Sequence, residues 1–145
     1  MIYNNLKKIA IAPTIFLLCS FLAAATPSNV ASMAKVSSSG SLSEAFDAAN
    51  VTDGIIGWEN TGEWACKGHV TSWGEMFMPW IKLDWDKDVT VSRIVLYDRP
   101  SGNEHLSGGT LHFSDGSQLS VTAIPNDGSP KELIFTPKTI KWVRF

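Results

Sequence analysis

Two segments of the chain carry side chains that suit the binding of a sugar. Indole faces stack on sugar rings, while guanidinium, amide, ammonium and imidazole groups hydrogen-bond ring hydroxyls. Because loops at one end of a β-sandwich converge, side chains from both segments can share a rim. The predicted ligand-binding residues are Trp64, Lys67 and His69 in the first segment, with Arg99, Asn103 and His105 in the second.

Three residues of these segments also have plainer interpretations. Trp64 fits a core position, and Arg99 fits an ion pair with Asp98 or another carboxylate. Cys66 fits a buried small hydrophobic residue better than a reactive thiol. The sequence leaves the first two interpretations open beside the ligand-binding one.

No catalytic motif is recognisable in the sequence. There is no Gly-x-Ser-x-Gly nucleophile elbow, and Cys66 has only His69 near it in sequence. His69, His105 and His112 lack the spacing of a metal site. Acidic residues such as Glu59, Glu63 and Glu75 could pair for glycoside hydrolysis, but carboxylates in a solvated loop are the commoner case. The sequence therefore predicts a protein that is not an enzyme.

The charge pattern excludes some classes of partner. The formal net charge is −2, and lysine and arginine are scattered along the chain. Nucleic-acid binding needs a clustered basic surface, so no nucleic-acid partner is expected. The apolar residues 76–78 lack a basic rim, which disfavours membrane binding.

The first residues predict a secretory signal peptide. Lys7 and Lys8 precede an apolar run over residues 9–25 that ends in three alanines. We expect residues 1–25 to be removed and residues 26–145 to form one secreted domain. Two alternatives are an uncleaved N-terminal anchor and a lipoprotein processed at Cys19, which the bulky Leu18 disfavours.

The domain is predicted to be an all-β antiparallel sandwich of the jelly-roll kind, with one short helix. Residues 42–49 have helical apolar spacing, with Ser43 as the N-cap. Asp115 and Gly116 mark a hairpin turn, and 125–130 mark another turn. The predicted strands cover residues 34–37, 80–85, 89–97, 109–113, 118–124, 131–135 and 139–145.

Residues 55–79 do not fit this pattern. They contain no convincing strand, yet they hold Trp58, Trp64 and Trp73 and are followed by Trp80. Long loops inside compact domains are usually functional or disordered, and a tryptophan-rich one is a poor candidate for disorder. We therefore expect this loop to pack against the domain or to bind a ligand.

Several motifs in a fixed order resemble the discoidin, or coagulation factor 5/8 type C, domain. They are residues 50–54, Trp64, 80–85 and 91–99. The stretches WACKG, PWIKLDWDKDVTVSRIVLYDRP, GGTLHFSDGS, PNDGSPKEL and WVRF are similar to a branch of the galactose-binding-like superfamily found in secreted microbial proteins, often beside glycosidases. The resemblance covers most of residues 31–145 and extends to family 32 carbohydrate-binding modules.

The resemblance implies a non-catalytic binding module and, in addition, a structural calcium ion. Such modules hold calcium at an Asp-Gly turn, which corresponds here to Asp53 with Asn50 as a weaker neighbour. The family's sugar site uses loops at one end of the sandwich. Its arginine, which follows the central strand, corresponds to Arg99. Two departures weaken the calcium prediction: Gly62 stands where calcium-binding members have threonine, and the chain stops at Phe145 before an expected acidic residue.

Three functions are compatible with these observations. The first is a secreted module that holds a glycan or polysaccharide at loops at one end of the sandwich. The second is a structural, adhesion or protein-interaction domain without sugar binding, which predicts an exposed apolar surface. The third is an accessory fragment of a glycoside hydrolase, with a last strand truncated in this sequence and a catalytic domain elsewhere in a longer chain.

Overall fold

The computed structural model describes residues 28–57, 62–66, 69–70, 76–101 and 105–145. For residues 69–70 and 76–77 it describes the backbone alone. The predicted signal peptide over residues 1–25, with Cys19, lies outside the described residues. Two predicted ligand-binding residues, Lys67 and Asn103, also lie outside them.

The described part of the chain contains β-strands and short 3₁₀ helices. The strands are β1 (Lys35–Ser38), β2 (His69–Val70), β3 (Met76–Phe77), β4 (Ile81–Leu96), β5 (Gly108–Phe113), β6 (Gln118–Thr122) and β7 (Lys131–Arg144). The 3₁₀ helices are Ala31–Met33, Glu44–Phe46 and Ala48–Thr52. The predominance of strands confirms the predicted all-β class. Within these residues, no helix is long and apolar enough to cross a bilayer.

The strands form one five-stranded sheet and one small two-stranded sheet. In the large sheet the order is β1-β4-β7-β5-β6, and every neighbouring pair is antiparallel. The small sheet pairs β2 with β3. At the end of β7, Phe145 exchanges backbone hydrogen bonds of 2.8 and 2.9 Å with Ile81. These pairings confirm the predicted antiparallel architecture.

The strands β4 and β7 are longer than predicted. Each covers two of the predicted strands, and the two pair along most of their length. The register shifts between the pairs Asp84–Trp142 and Val89–Ile140, so the polar residues 86–88 bulge from the ladder instead of ending the strand. Backbone pairing on both sides of the bulge keeps the chain extended, which charge pattern alone does not predict.

The core is formed by side chains of β4, β5, β6 and β7, together with Ile124 after β6. Its most deeply buried side chains are Phe113, Leu111, Ile140 and Val121, between 1% and 2% exposed, and all of its members are apolar. The Phe113 ring lies 5.5 Å from the Phe135 ring. Apolar packing of this kind holds the sheet without specific polar partners.

The predicted helix over residues 42–49 forms as two separate 3₁₀ turns. Ser43 occupies the N-cap of the first turn but makes no capping hydrogen bond. Asp47 is extended and ends that turn, and its carboxylate caps the second turn by accepting from the backbone N–H of Ala49 at 2.8 Å. A segment this short does not sustain an α-helix when an aspartate offers the backbone another partner.

The hairpin predicted at Asp115 and Gly116 is confirmed. It joins β5 to β6, and Gly116 has a φ of +83°, the left-handed region that glycine tolerates. The Asp115 carboxylate accepts hydrogen bonds from the backbone N–H and the hydroxyl of Ser117, at 2.9 and 2.5 Å. The turn is determined by residues that are neighbours in the sequence, and for that reason the sequence predicts it.

Candidate functional site

Residues 97–101 follow β4 as a loop that carries Arg99. The Arg99 side chain is 24% exposed, and its Nε lies 2.8 Å from Oε2 of Glu63, which is 10% exposed. Glu63 directly precedes Trp64. The ion pair therefore joins the segment of Trp64 to the loop of Arg99, as expected for two segments that share a rim.

Glu63 is the main residue of this region that sequence reasoning missed. It was expected in a solvated loop, but its side chain is nine-tenths buried, and Oε1 is buried with no hydrogen-bond partner among the described residues. The predicted alternative of an ion pair for Arg99 is correct, with Glu63 as the partner. Asp98 instead accepts a hydrogen bond from the backbone N–H of Leu106 at 2.7 Å. No local signal marks Glu63, because its partner is distant in sequence.

Trp64 is half-buried and its ring is oriented by a hydrogen bond. The indole Nε1–H donates to the carbonyl of Gly40 at 3.0 Å. The neighbouring Ala65 carbonyl accepts from the backbone N–H of Leu42 at 2.7 Å. These contacts fix the segment over residues 62–66 against the stretch that follows β1, so the indole is held in one orientation while part of it stays accessible.

A second set of contacts holds the loop of Arg99 to the turn over residues 125–130. The Asn126 side chain accepts from the backbone N–H of Ser101 at 3.2 Å and donates to the Ser101 carbonyl. One amide thus satisfies both backbone groups of a loop residue. Together with the Asp98 contact, it gives the loop defined anchor points on both sides of Arg99.

The structure describes only some of the remaining predicted ligand-binding residues. His105 is exposed on the same loop as Arg99. The backbone of His69 lies in β2, whose side chains are outside the description. Lys67 and Asn103 lie outside the described residues altogether. The Glu63–Arg99 ion pair thus joins the segments that carry Trp64 and Arg99, and Leu106, the neighbour of His105, contacts Asp98. Ligand binding by all six residues stays a prediction.

The predicted calcium ligands have defined roles in the fold. Asp53 is exposed, and its Oδ1 accepts from the backbone N–H of Ile55 at 2.7 Å. Asn50 donates its side-chain amide to the carbonyls of Ala45 at 3.0 Å and Glu63 at 2.9 Å. The described residues contain no group of three or more His, Cys, Asp or Glu that could hold a metal. A calcium ion here would need backbone carbonyl oxygens beside the Asp53 carboxylate.

Cys66 is a half-buried free thiol beside this region. Burial raises the pKa of the Cys66 thiol, and a hydrogen bond with Ser39 opposes that shift. A thiol with a raised pKa is mostly protonated near neutral pH and is a poor nucleophile. The environment of Cys66 thus matches the structural role expected for it.

The fold is that of solved carbohydrate-binding modules. Chitosan-binding module 1 of a chitosanase/glucanase from Paenibacillus sp. IK-5 is 22% identical with a TM-score of 0.59, over 81% of this chain and 84% of that one. The family 32 module of NanJ from C. perfringens, solved with galactose, is 19% identical with a TM-score of 0.58, over 78% and 80%. These likenesses confirm the predicted β-sandwich fold.

A third similar structure is the lectin domain of lectinolysin, solved with Lewis B antigen. It is 19% identical with a TM-score of 0.56, over 81% of this chain and 83% of that one. No curated protein sequence is significantly similar to the chain. The family described as "Domain of unknown function (DUF7402)" matches residues 29–145.

Proposed function

The chain belongs to the DUF7402 family, and we propose that it is a secreted, non-catalytic carbohydrate-binding module of the discoidin-like type. Its ligand is a glycan or polysaccharide held at the loops beside Arg99. Three similarly folded domains are a chitosan-binding module, a module solved with galactose and a lectin domain solved with Lewis B, which supports this choice of ligand class.

The observation that carries the proposal is the contact between Arg99 and Glu63. Nε of Arg99 lies 2.8 Å from the carboxylate of Glu63, whose side chain is nine-tenths buried. This contact fixes the orientation of the guanidinium and restricts its rotamers. A fixed planar donor loses little entropy when it binds ring hydroxyls. The oriented indole of Trp64, one residue after Glu63, supplies an apolar face for stacking.

The other proposed contacts extend this arrangement. His105 lies exposed on the Arg99 loop and offers a ring nitrogen to a hydroxyl. The proposed set also includes Lys67, His69 and Asn103, whose side chains can donate hydrogen bonds to sugar hydroxyls. A shallow site of this composition binds by stacking and a few hydrogen bonds, so its affinity for a single sugar unit is low.

A thermal-unfolding experiment tests the proposal. The protein beginning at Thr26 is heated alone and with a panel of galactosides, glucosides and polysaccharides, since a ligand that binds the folded state alone raises the midpoint. A sugar-specific rise is expected. If no sugar changes the midpoint of a well-folded sample, the proposal is wrong.

Two variants of Trp64 locate the site. Trp64→Ala removes the indole face and is expected to abolish retention on an immobilised glycan. Trp64→Phe keeps an aromatic face but loses the bond to Gly40, so it should retain part of the binding. Equal retention by wild type and Trp64→Ala would place the site elsewhere.

We also propose a structural calcium ion at Asp53, with Asn50 as the neighbouring residue of the turn. When bound, calcium would link the Asp53 carboxylate to nearby backbone carbonyl oxygens and stiffen the turn. Added calcium should then raise the midpoint of wild type but not that of Asp53→Ala. An equal effect on both proteins would exclude this site.

A second candidate function is a protein-interaction domain. It is favoured by large apolar side chains that are exposed within residues 42–56, namely Leu42 at 42%, Val51 at 40%, Ile55 at 59% and Ile56 at 53%. Exposed apolar surface of this kind is common at interaction sites. The same sugar panel separates the two functions, because an interaction domain would show no sugar-dependent change.

A further inference from the structure

The charge of Arg99 is balanced inside the protein. Its guanidinium contacts the Glu63 carboxylate at 2.8 Å, so the two groups together carry no net charge. Asp98 adds a second carboxylate next to Arg99 in sequence, and it accepts a hydrogen bond from the backbone N–H of Leu106. Among the described residues of this region, positive charge is therefore not in excess.

The carboxylate of Glu63 keeps much of its electrostatic influence. Its side chain is 10% exposed, so water screens its charge less than that of a surface carboxylate. Its Oε1 is buried and has no hydrogen-bond donor among the described residues, so that oxygen's charge is not neutralised by a second contact. Any ligand group that reaches Arg99 also lies within the field of Glu63.

This arrangement distinguishes ligands by charge. A hydroxyl binds Arg99 as a neutral acceptor and leaves the ion pair intact. A ligand carboxylate or sulfate would compete with Glu63 for the guanidinium and would be repelled by Glu63 and Asp98, whose two negative charges outnumber the single positive charge of Arg99. A protonated amine on the ligand would instead be attracted to the carboxylates.

We propose that Glu63 is a specificity-determining residue that restricts the site to neutral sugars and amino sugars and excludes uronates and sulfated sugars. The inference rests on the proposed glycan-binding function and adds the charge class of the ligand. It assigns to Glu63 an effect on selectivity that is separate from its contribution to folding.

The experiment compares length-matched oligosaccharides of neutral hexose, hexosamine and hexuronic acid at pH 6, where the amine is protonated and the uronate ionised. Wild type and Glu63→Gln are titrated with each series by calorimetry. The matched control is Asp115→Asn, which removes one carboxylate in the hairpin at the far end of β5 while an amide oxygen can still accept the turn hydrogen bonds. Thermal unfolding checks that every variant is folded.

Wild type is expected to bind the uronate series at least about tenfold more weakly than the neutral series, the lower end of the coupling measured for close charge pairs. Glu63→Gln should reduce the ratio of the neutral-series affinity to the uronate-series affinity by about tenfold. Asp115→Asn should leave this affinity ratio unchanged. If Glu63→Gln does not fold, the wild-type ratio still decides the proposal.

Two results would overturn the inference while leaving the proposed function intact. One is equal wild-type affinity for neutral and uronate series. The other is a Glu63→Gln ratio that matches wild type or changes only as much as in the Asp115→Asn control. Binding of no series by wild type would overturn the proposed function itself, and the inference with it.

Discussion

In the large sheet the buried side chains are apolar, whereas the loops around Arg99 are held by polar contacts between single pairs of atoms. Phe113, Leu111 and Ile140 are 1% to 2% exposed and pack without polar partners. The loop region depends on the contacts of Arg99 with Glu63 and of Ser101 with Asn126. The two regions therefore place different demands on the sequence.

This difference indicates that the sheet mainly determines stability, whereas the loops mainly determine the geometry of the proposed binding site. The free energy gained from apolar packing is roughly proportional to the buried apolar area. A buried apolar side chain can therefore be replaced by another of similar volume at small cost. A hydrogen bond or an ion pair requires one donor and one acceptor at a set distance, so the loss of one partner leaves the other unsatisfied. Changes in the sheet should mainly alter stability, and changes in the loops should mainly alter ligand binding.

The largest effect is expected for Phe113→Ala in the sheet. Phe113 is 1% exposed, and truncation leaves a cavity between β5 and Phe135. We expect a loss of about 3–5 kcal/mol in the free energy of unfolding, measured by denaturant titration. Phe113→Leu, which keeps most of the volume, should cost clearly less. A loss below about 1 kcal/mol would show that this position is not part of a close-packed core.

A smaller effect on stability, with a complete loss of glycan retention, is expected for Arg99→Met. The variant leaves the carboxylate of Glu63 buried and unpaired, which we expect to cost about 2 kcal/mol because Arg99 is partly exposed. Arg93→Met is the control, since the Arg93–Glu132 pair spans 3.4 Å with both side chains about half exposed. Similar losses in the two variants would contradict the distinction between the regions.

Asn126→Ala should cost about 1–2 kcal/mol and weaken glycan binding several-fold. It removes both hydrogen bonds to Ser101 and so loosens the loop of Arg99 without touching the proposed ligand. Asn29→Ala is the control, because Asn29 makes a similar bond to Ala31 in an exposed segment. Binding that is unchanged in Asn126→Ala would mean that the loop does not need this anchor.

The smallest effect is expected from pH. The hydroxyl and backbone N–H of Ser117 lower the pKa of Asp115, and those of Ser129 lower the pKa of Asp127. Because the folded pKa lies below the unfolded one, the stabilisation is present above about pH 4 and is lost as the pH falls through the folded value. Asp115→Asn should flatten the acid limb of a stability profile slightly. A steeper acid limb in Asp115→Asn would contradict the expectation that the ionised Asp115 carboxylate stabilises the folded state.

The sheet was largely predictable because its signals are local. Alternating apolar residues and the turn at Asp115 and Gly116 gave the β5–β6 hairpin in its observed position. The continuity of β4 and β7 was not predictable, because it depends on pairing between distant parts of the chain. The helix over residues 42–49 was wrong in kind, because Asp47 interrupts a segment whose apolar spacing is helical.

The candidate site was predictable in its residue types but not in its supports. Arg99 and Trp64 were identified from chemistry and resemblance, whereas the contacts that orient them come from Glu63 and the Gly40 carbonyl. Asn126 was read only as part of a turn, and its role requires knowledge of the neighbouring loop. Periodic patterns report burial, and they carry no information about which single donor meets which acceptor.

Gly62, which stands where calcium-binding members of the resembled domain have threonine, is coupled to Ile55 by space and constrained by its own backbone. Its φ is +67°, and a Cβ added there would lie 2.6 Å from Cγ2 of Ile55. Any side chain at position 62 therefore meets both an unfavourable backbone conformation and an occupied space. Replacing Ile55 would relieve only the second obstacle. A threonine at position 62 therefore needs a change in the backbone of this segment as well as room beside Ile55.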